Sequence, residues 1–77
     1  MNNEDRKKLD DIVGKLENIQ AELEELSEDL QERYDNMPEG LQSGEKGEAL
    51  SSQAESISEA SSSVESAIDS IGSARDG

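Results

Sequence analysis

The stretch that decides the fold is Leu9-Asp10-Asp11-Ile12-Val13-Gly14-Lys15-Leu16-Glu17-Asn18-Ile19-Gln20-Ala21-Glu22-Leu23-Glu24-Glu25-Leu26-Ser27-Glu28-Asp29-Leu30. Its leucines and isoleucines fall at 9, 12, 16, 19, 23, 26 and 30, steps of three and four in strict alternation. Leu9, Leu16, Leu23 and Leu30 share one heptad position, and Ile12, Ile19 and Leu26 share the other, the pattern of a coiled-coil helix. Working back from Leu9, Asn2 or Asn3 can cap the helix, and Glu4 and Asp5 suit its positive end. Glu4/Lys8 and Asp11/Lys15 have the favourable i,i+4 order. Working forward, Pro38 stops it, because the residue before a proline avoids helical dihedrals. A first helix over about 3–36 is expected.

Asn36-Met37-Pro38-Glu39-Gly40-Leu41-Gln42-Ser43-Gly44 holds the chain's only proline and two of its six glycines, so residues of about 37–43 read as a connector. Ser43 is placed to cap a second helix, with Glu45 in its first turn. Beyond it Leu50, Ile57, Val64 and Ile71 recur every seven residues, with Ala54, Ser61 and Ile68 at the companion position and Ala60, Ala67 and Ala74 beside them. The second helix is expected over about 44–74. Ten serines between Ser51 and Ser73 lower its intrinsic helicity and make it dependent on packing.

Folded back near Gly40, the two halves align. Leu30 faces Leu50, Leu23 faces Ile57, Leu16 faces Val64 and Leu9 faces Ile71, while Leu26, Ile19 and Ile12 meet Ala54, Ser61 and Ile68; each pair of residue numbers adds to 80. The expected fold is all-α, an antiparallel two-helix coiled-coil hairpin forming a single domain over residues 1–77. Two helices make a thin core, and the small residues Ala54, Ala60, Ser61, Ala67 and Ala74 leave Ile19 and Leu26 partly uncovered. Association into a homo-oligomeric helical bundle is therefore expected as well.

Composition narrows the chemistry. The 77 residues carry 20 acidic and 7 basic side chains, a formal charge of −13, with no Cys, His, Trp or Phe and with Tyr34 as the one aromatic. Lacking Cys and His, the chain has no thiolate, no soft metal ligand and no side chain that ordinarily moves protons near neutral pH. A two-helix rod offers no cleft in which paired carboxylates could work on a substrate. A calcium-loop reading from Asp35 fails at Met37 and Lys46, where oxygen ligands are required. No enzyme activity, cofactor or metal is expected. Nor is direct binding to nucleic acid or to an anionic membrane, since the field of the whole protein opposes both. The polar, acidic start Met1-Asn2-Asn3-Glu4-Asp5 and the lack of long apolar runs point to a cytoplasmic protein.

The placement of the acids is the distinctive feature. Asp10, Asp11, Glu17, Glu24, Glu25, Glu28 and Glu32 take outer positions of the first helix, with Asp29 at the edge. Glu24/Glu28, Glu25/Asp29 and Glu28/Glu32 are like-charge i,i+4 pairs, and no basic residue lies between 16 and 32. A locally unfavourable choice marks a candidate functional surface. Carboxylates about 5–6 Å apart along a helix approximate a row of phosphates, so such a rod can enter a basic groove that normally holds nucleic acid.

Around the connector, Tyr34-Asp35-Asn36-Met37-Pro38-Glu39-Gly40-Leu41-Gln42-Ser43-Gly44-Glu45-Lys46-Gly47-Glu48-Ala49 lies between an acidic leucine-heptad helix and Ala/Ser/Glu/Ile repeats. In this it resembles small acidic helical proteins of tailed bacteriophages and prophages. The likeness spans nearly the whole chain, its sharp part being the connector, and the second half is richer in Ser than such proteins. The resemblance implies an accessory protein that binds and inhibits a host protein with a basic surface, a defence or nucleic-acid-binding factor, inside the bacterial cell. The candidate contact residues are Glu24, Glu25, Glu28, Asp29 and Glu32 on the acidic face, with Tyr34, Asn36, Met37, Pro38 and Gly40 at the connector. Tyr34 serves equally well as an anchor for a partner or as a cover for the hairpin end. Two other classes stay open, an oligomeric sponge for a small nucleotide messenger and a virion assembly factor.

Overall fold

The computed structural model describes residues 1–77 and contains helices only: α1 over Asn3–Asp35, a single turn α2 over Glu39–Gln42, and α3 over Glu45–Asp76. α1 and α3 pack against each other as a hairpin. The result is a rod of 58 × 16 × 12 Å with a radius of gyration of 17.3 Å, against about 11.5 Å for a compact domain of this length.

Local chemistry accounts for the ends. Asn2 caps α1, its Oδ1 accepting from the Asp5 amide at 2.8 Å. At the other end of α1 the Asn36 amide donates to the Glu32 carbonyl and Met37 to Tyr34. Pro38 then starts α2, and its carbonyl accepts from Leu41 at 2.8 Å and from Gln42 at 3.1 Å. The expected connector over 37–43 thus contains a helical turn of its own. Ser43 does not cap the second helix: it closes α2, and Gly44 stands at the head of α3 without a side-chain cap. No residue has a positive φ, so the glycines are not there for left-handed backbone.

One glycine is there for proximity. A Cβ at Gly47 would lie 2.1 Å from the Gln42 carbonyl oxygen and 2.6 Å from its Cα. Gln42 is held in turn by its Nε2, which donates to the Tyr34 carbonyl at 2.9 Å. These contacts pin the connector onto the start of α3 and the end of α1.

The seam is narrow. Only Gly47, Ala54 and Ser61 are buried, every seventh residue of α3, and around them Leu50, Ile57, Val64, Ile68 and Ile71 are half-buried. This is the α3 face that the sequence pattern assigns to the seam. On α1 the half-buried residues are Leu9, Leu16, Leu23 and Leu30 together with Val13, Gln20, Ser27 and Tyr34. The Ile12, Ile19 and Leu26 row, expected inside, is instead 43%, 44% and 43% exposed.

The leucine row has a neighbouring row on each side, and only one of them can share a two-helix seam. The Ser27 side wins in the middle of the rod, where the small Ala54 and Ser61 face Ser27 and Gln20, with Val13 and Tyr34 of the same row toward its two ends. Ser27 Oγ donates to the Ala54 carbonyl at 3.0 Å, and the buried Ser61 hydroxyl donates to Glu24 Oε1 at 3.4 Å. No buried side-chain polar atom lacks a partner, as the cost of desolvating one requires. The register moves accordingly. Interhelix hydrogen bonds join residues whose numbers add to 81 (Arg6–Arg75, Ser27–Ala54) or 85 (Glu24–Ser61, Asp10–Arg75) and not to 80.

At the open end Arg6 Nε donates to the Arg75 carbonyl, completing the last turn of α3. Arg75 Nε meets Asp10 Oδ1 at 2.7 Å. That hydrogen bond and the Asp10 charge raise the pKa of the Arg75 guanidinium further.

Candidate functional site

Rotation of α1 about its axis leaves two unlike flanks beside the seam. On one, Asp10, Glu17, Glu24 and Gln31 of α1 stand across from Ser51, Ser58, Glu65 and Gly72 of α3. On the other, Ile12, Ile19 and Leu26 stand across from Ala60, Ala67 and Ala74. The assignment follows from spacing, because in both helices the second set lies three residues beyond a half-buried seam residue, and antiparallel packing brings those rows to the same side.

The polar flank opens into a groove of about 550 Å³ between Ser27, Gln31, Ser51, Ala54 and Ser58, rimmed by Glu28, Glu55 and Glu59. Its hydroxyls have no imidazole beside them, the chain having no His. Its acidic rim repels anions, which argues against a pocket for a nucleotide messenger. A second, wider depression at the open end has Val13 and Ile68 in its lining with Asp10, Asp69, Arg75 and Asp76. Arg75, its one cation, is already engaged by Asp10. No three acids of the chain converge in a way that could hold a metal ion.

The sequence-derived acidic residues do not gather at a point. Glu25 and Glu32 lie on the row of α1 facing away from α3, Glu28 and Asp29 stand to either side, and all of them are exposed. Together they clothe the outer half of one helix with charge. Glu24 departs from this: it sits at the seam edge and accepts from Ser61, so part of its bonding capacity is used within the fold. Asp10, also expected on the outer face, reaches across to Arg75. The only ion pairs within the chain are those of Arg75 with Asp10 and Asp76, so neither Glu4/Lys8 nor Asp11/Lys15 closes into one. The like-charge run on α1 has no internal neutralisation.

At the connector, Tyr34 and Met37 are half-buried, whereas Asn36, Pro38 and Gly40 are exposed. Tyr34 lies on the row of α1 that carries Val13, Gln20 and Ser27, at the connector end of the seam. The prominent apolar group at the tip is Leu41, 58% exposed, which the sequence reading passed over. The available signal was its position, a leucine off both heptad rows within the Gly- and Pro-bearing stretch.

No helix is long and apolar enough to cross a membrane. No protein-family profile matches the chain, and no curated protein or solved structure shows significant similarity to it.

Proposed function

We propose that this chain is a non-enzymatic binding protein whose acidic α1 surface occupies a basic groove on another protein, in the place of a nucleic-acid backbone. The carrying observation is the exposed run Glu25, Glu28, Asp29 and Glu32, which meets no cation within the fold and accepts like-charge i,i+4 repulsion to stay there. A solvated face needs charge but has no need of such crowding. The likeness to small phage proteins favours a host defence or nucleic-acid-binding protein as the target, and inhibition as the outcome. Leu41 and Pro38 extend this surface at the connector end with an apolar contact.

The test is replacement of Glu24, Glu25, Glu28 and Glu32 by Gln in one variant, which keeps helix propensity and shape while removing four charges. Partners are captured on the parent protein from bacterial lysate and identified by mass spectrometry, and their affinity for both proteins is measured across a salt series. Affinity for the parent should fall steeply with salt, since exposed charges are screened over about 8 Å at physiological ionic strength. The variant should lose the partner with its helicity intact. Equal binding of parent and variant at every salt concentration refutes the reading.

A further inference from the structure

The second flank carries a different message. Ile12, Ile19 and Leu26 are each more than two-fifths exposed on a hairpin that has no other long apolar row outside its seam. Beside them on α3 are Ala60, half-buried, and Ala67 and Ala74, exposed, side chains short enough to let a further helix approach. The protein exposes 5600 Å², while a compact monomer of its mass exposes about 4,600 Å². The excess is close to the ~800 Å² that each partner surrenders in an interface of standard size.

Charges flanking the stripe say what covers it. The row of α1 next to the stripe, on the side away from the seam, reads Lys8, Lys15, Glu22 and Asp29, and the stripe itself is bounded by Asp5 and Arg33. The charges are antisymmetric about Ile19, each matched by one of opposite sign at a corresponding distance on the other side. Ile12 and Leu26 stand seven residues to either side of it and Asp5 and Arg33 fourteen, while Lys15 and Glu22 stand four and three away and Lys8 and Asp29 eleven and ten. All six charges lack an ion-pair partner within the chain.

We propose that the stripe is covered by α1 of a second copy of this chain, running antiparallel, with a two-fold axis passing beside Ile19. Ile19 then meets its own counterpart and Ile12 meets Leu26. Lys15 faces Glu22, Lys8 faces Asp29 and Asp5 faces Arg33, each pair formed twice by symmetry. A parallel copy in register would set Lys8 on Lys8 and Glu22 on Glu22, like on like, so the charges select the antiparallel arrangement. The assembly is a four-helix bundle in which every neighbouring pair of helices is antiparallel. Glu25, Glu28 and Glu32 stay on its outside, so two acidic faces are presented at once. This inference does not depend on the binding role proposed above: it rests on the Ile12, Ile19 and Leu26 stripe, and of the acidic run it uses Asp29 alone.

Single cysteines test it, since the chain has none of its own. Under mild oxidation Ile19→Cys should cross-link to itself nearly completely. Ile12→Cys and Leu26→Cys should cross-link when mixed and scarcely when alone. Sedimentation of the unmodified protein should give twice its 8.3 kDa mass. Lys15→Glu should weaken the dimer at least tenfold, and Lys15→Glu with Glu22→Lys should restore it. A monomer at millimolar concentration overturns the proposal. So does a dimer in which Ile12→Cys cross-links to itself and not to Leu26→Cys, or in which the charge swap fails to rescue. A partner-binding defect with the dimer intact would bear on the acidic face alone.

Discussion

Replacing glycine by alanine at three helical positions should give opposite signs. At Gly14 and Gly72 a Cβ would meet nothing within 4 Å, so the substitution acts through helix propensity and stabilises by up to about 1 kcal/mol. At Gly47 the same methyl would stand 2.1 Å, 2.5 Å and 2.6 Å from the carbonyl oxygen, carbonyl carbon and Cα of Gln42. These are backbone atoms, and ordinary contact begins near 3.4 Å, so α2 must withdraw by more than 1 Å. Overpacking of this kind costs about 1–3 kcal/mol. The withdrawal also breaks the 2.9 Å bond from Gln42 Nε2 to the Tyr34 carbonyl, which costs about 1 kcal/mol more. Set against a propensity gain of about 1 kcal/mol, the net loss is about 1–3 kcal/mol. For a chain of this size that lowers Tm by roughly 5–20 °C, whereas Gly72→Ala should raise it by roughly 4–8 °C. Melting followed by far-ultraviolet circular dichroism, at one protein concentration throughout, reads both. A Gly47→Ala protein that melts at or above the parent refutes the account of the connector.

Val64→Asp, which places a charge in the half-buried seam row, should lower stability by about 2 kcal/mol or more, while the exposed Ser63→Asp changes it by less than about 0.5 kcal/mol; denaturant titration of the two separates them. Asn2→Ala removes the acceptor for the Asp5 amide and should cost about 1 kcal/mol, seen as early loss of amide protection in the first turn of α1.

Sequence periodicity carried the hairpin, the place of its turn and the seam face of α3, where Leu50, Ile57, Val64 and Ile71 repeat every seven residues and the row on their other side, Ala60, Ala67 and Ala74, holds only alanine. α1 was ambiguous. Its leucine row is flanked by Ile12, Ile19 and Leu26 on one side and by Val13, Gln20, Ser27 and Tyr34 on the other, and hydropathy alone favours the first. The choice depends on what the partner helix presents there. That is set by Ala54 and Ser61, residues distant in sequence, and by hydrogen bonds that a hydrophobic pattern does not encode. The exposed acids Glu25, Glu28, Asp29 and Glu32 were legible because helical position determines their outward direction. The engagement of Glu24 with Ser61 and of Asp10 with Arg75 was hidden, since it required the interhelix register. Gly47 gives no signal in the hydrophobic pattern. Its role depends on the backbone of a turn that is not helical by pattern.

The three buried residues Gly47, Ala54 and Ser61 all lie on the connector side of the rod's far third, and the same row continues to Ile68 and Arg75 with only partial cover. Cohesion is therefore graded along the long axis. Closing the chain near the turn joins residues close in sequence, such as Tyr34 and Gln42, whereas the Arg6–Arg75 contact spans 69 residues and carries the larger loop-closure entropy. The hairpin should form as a zipper, nucleated at its tip and propagating toward the termini, and open in the reverse order. Its last teeth are the exposed Arg75–Asp10 pair and the Arg6 bond, both held by charge. Breathing at that end should quicken as ionic strength rises, while the tip keeps its lifetime.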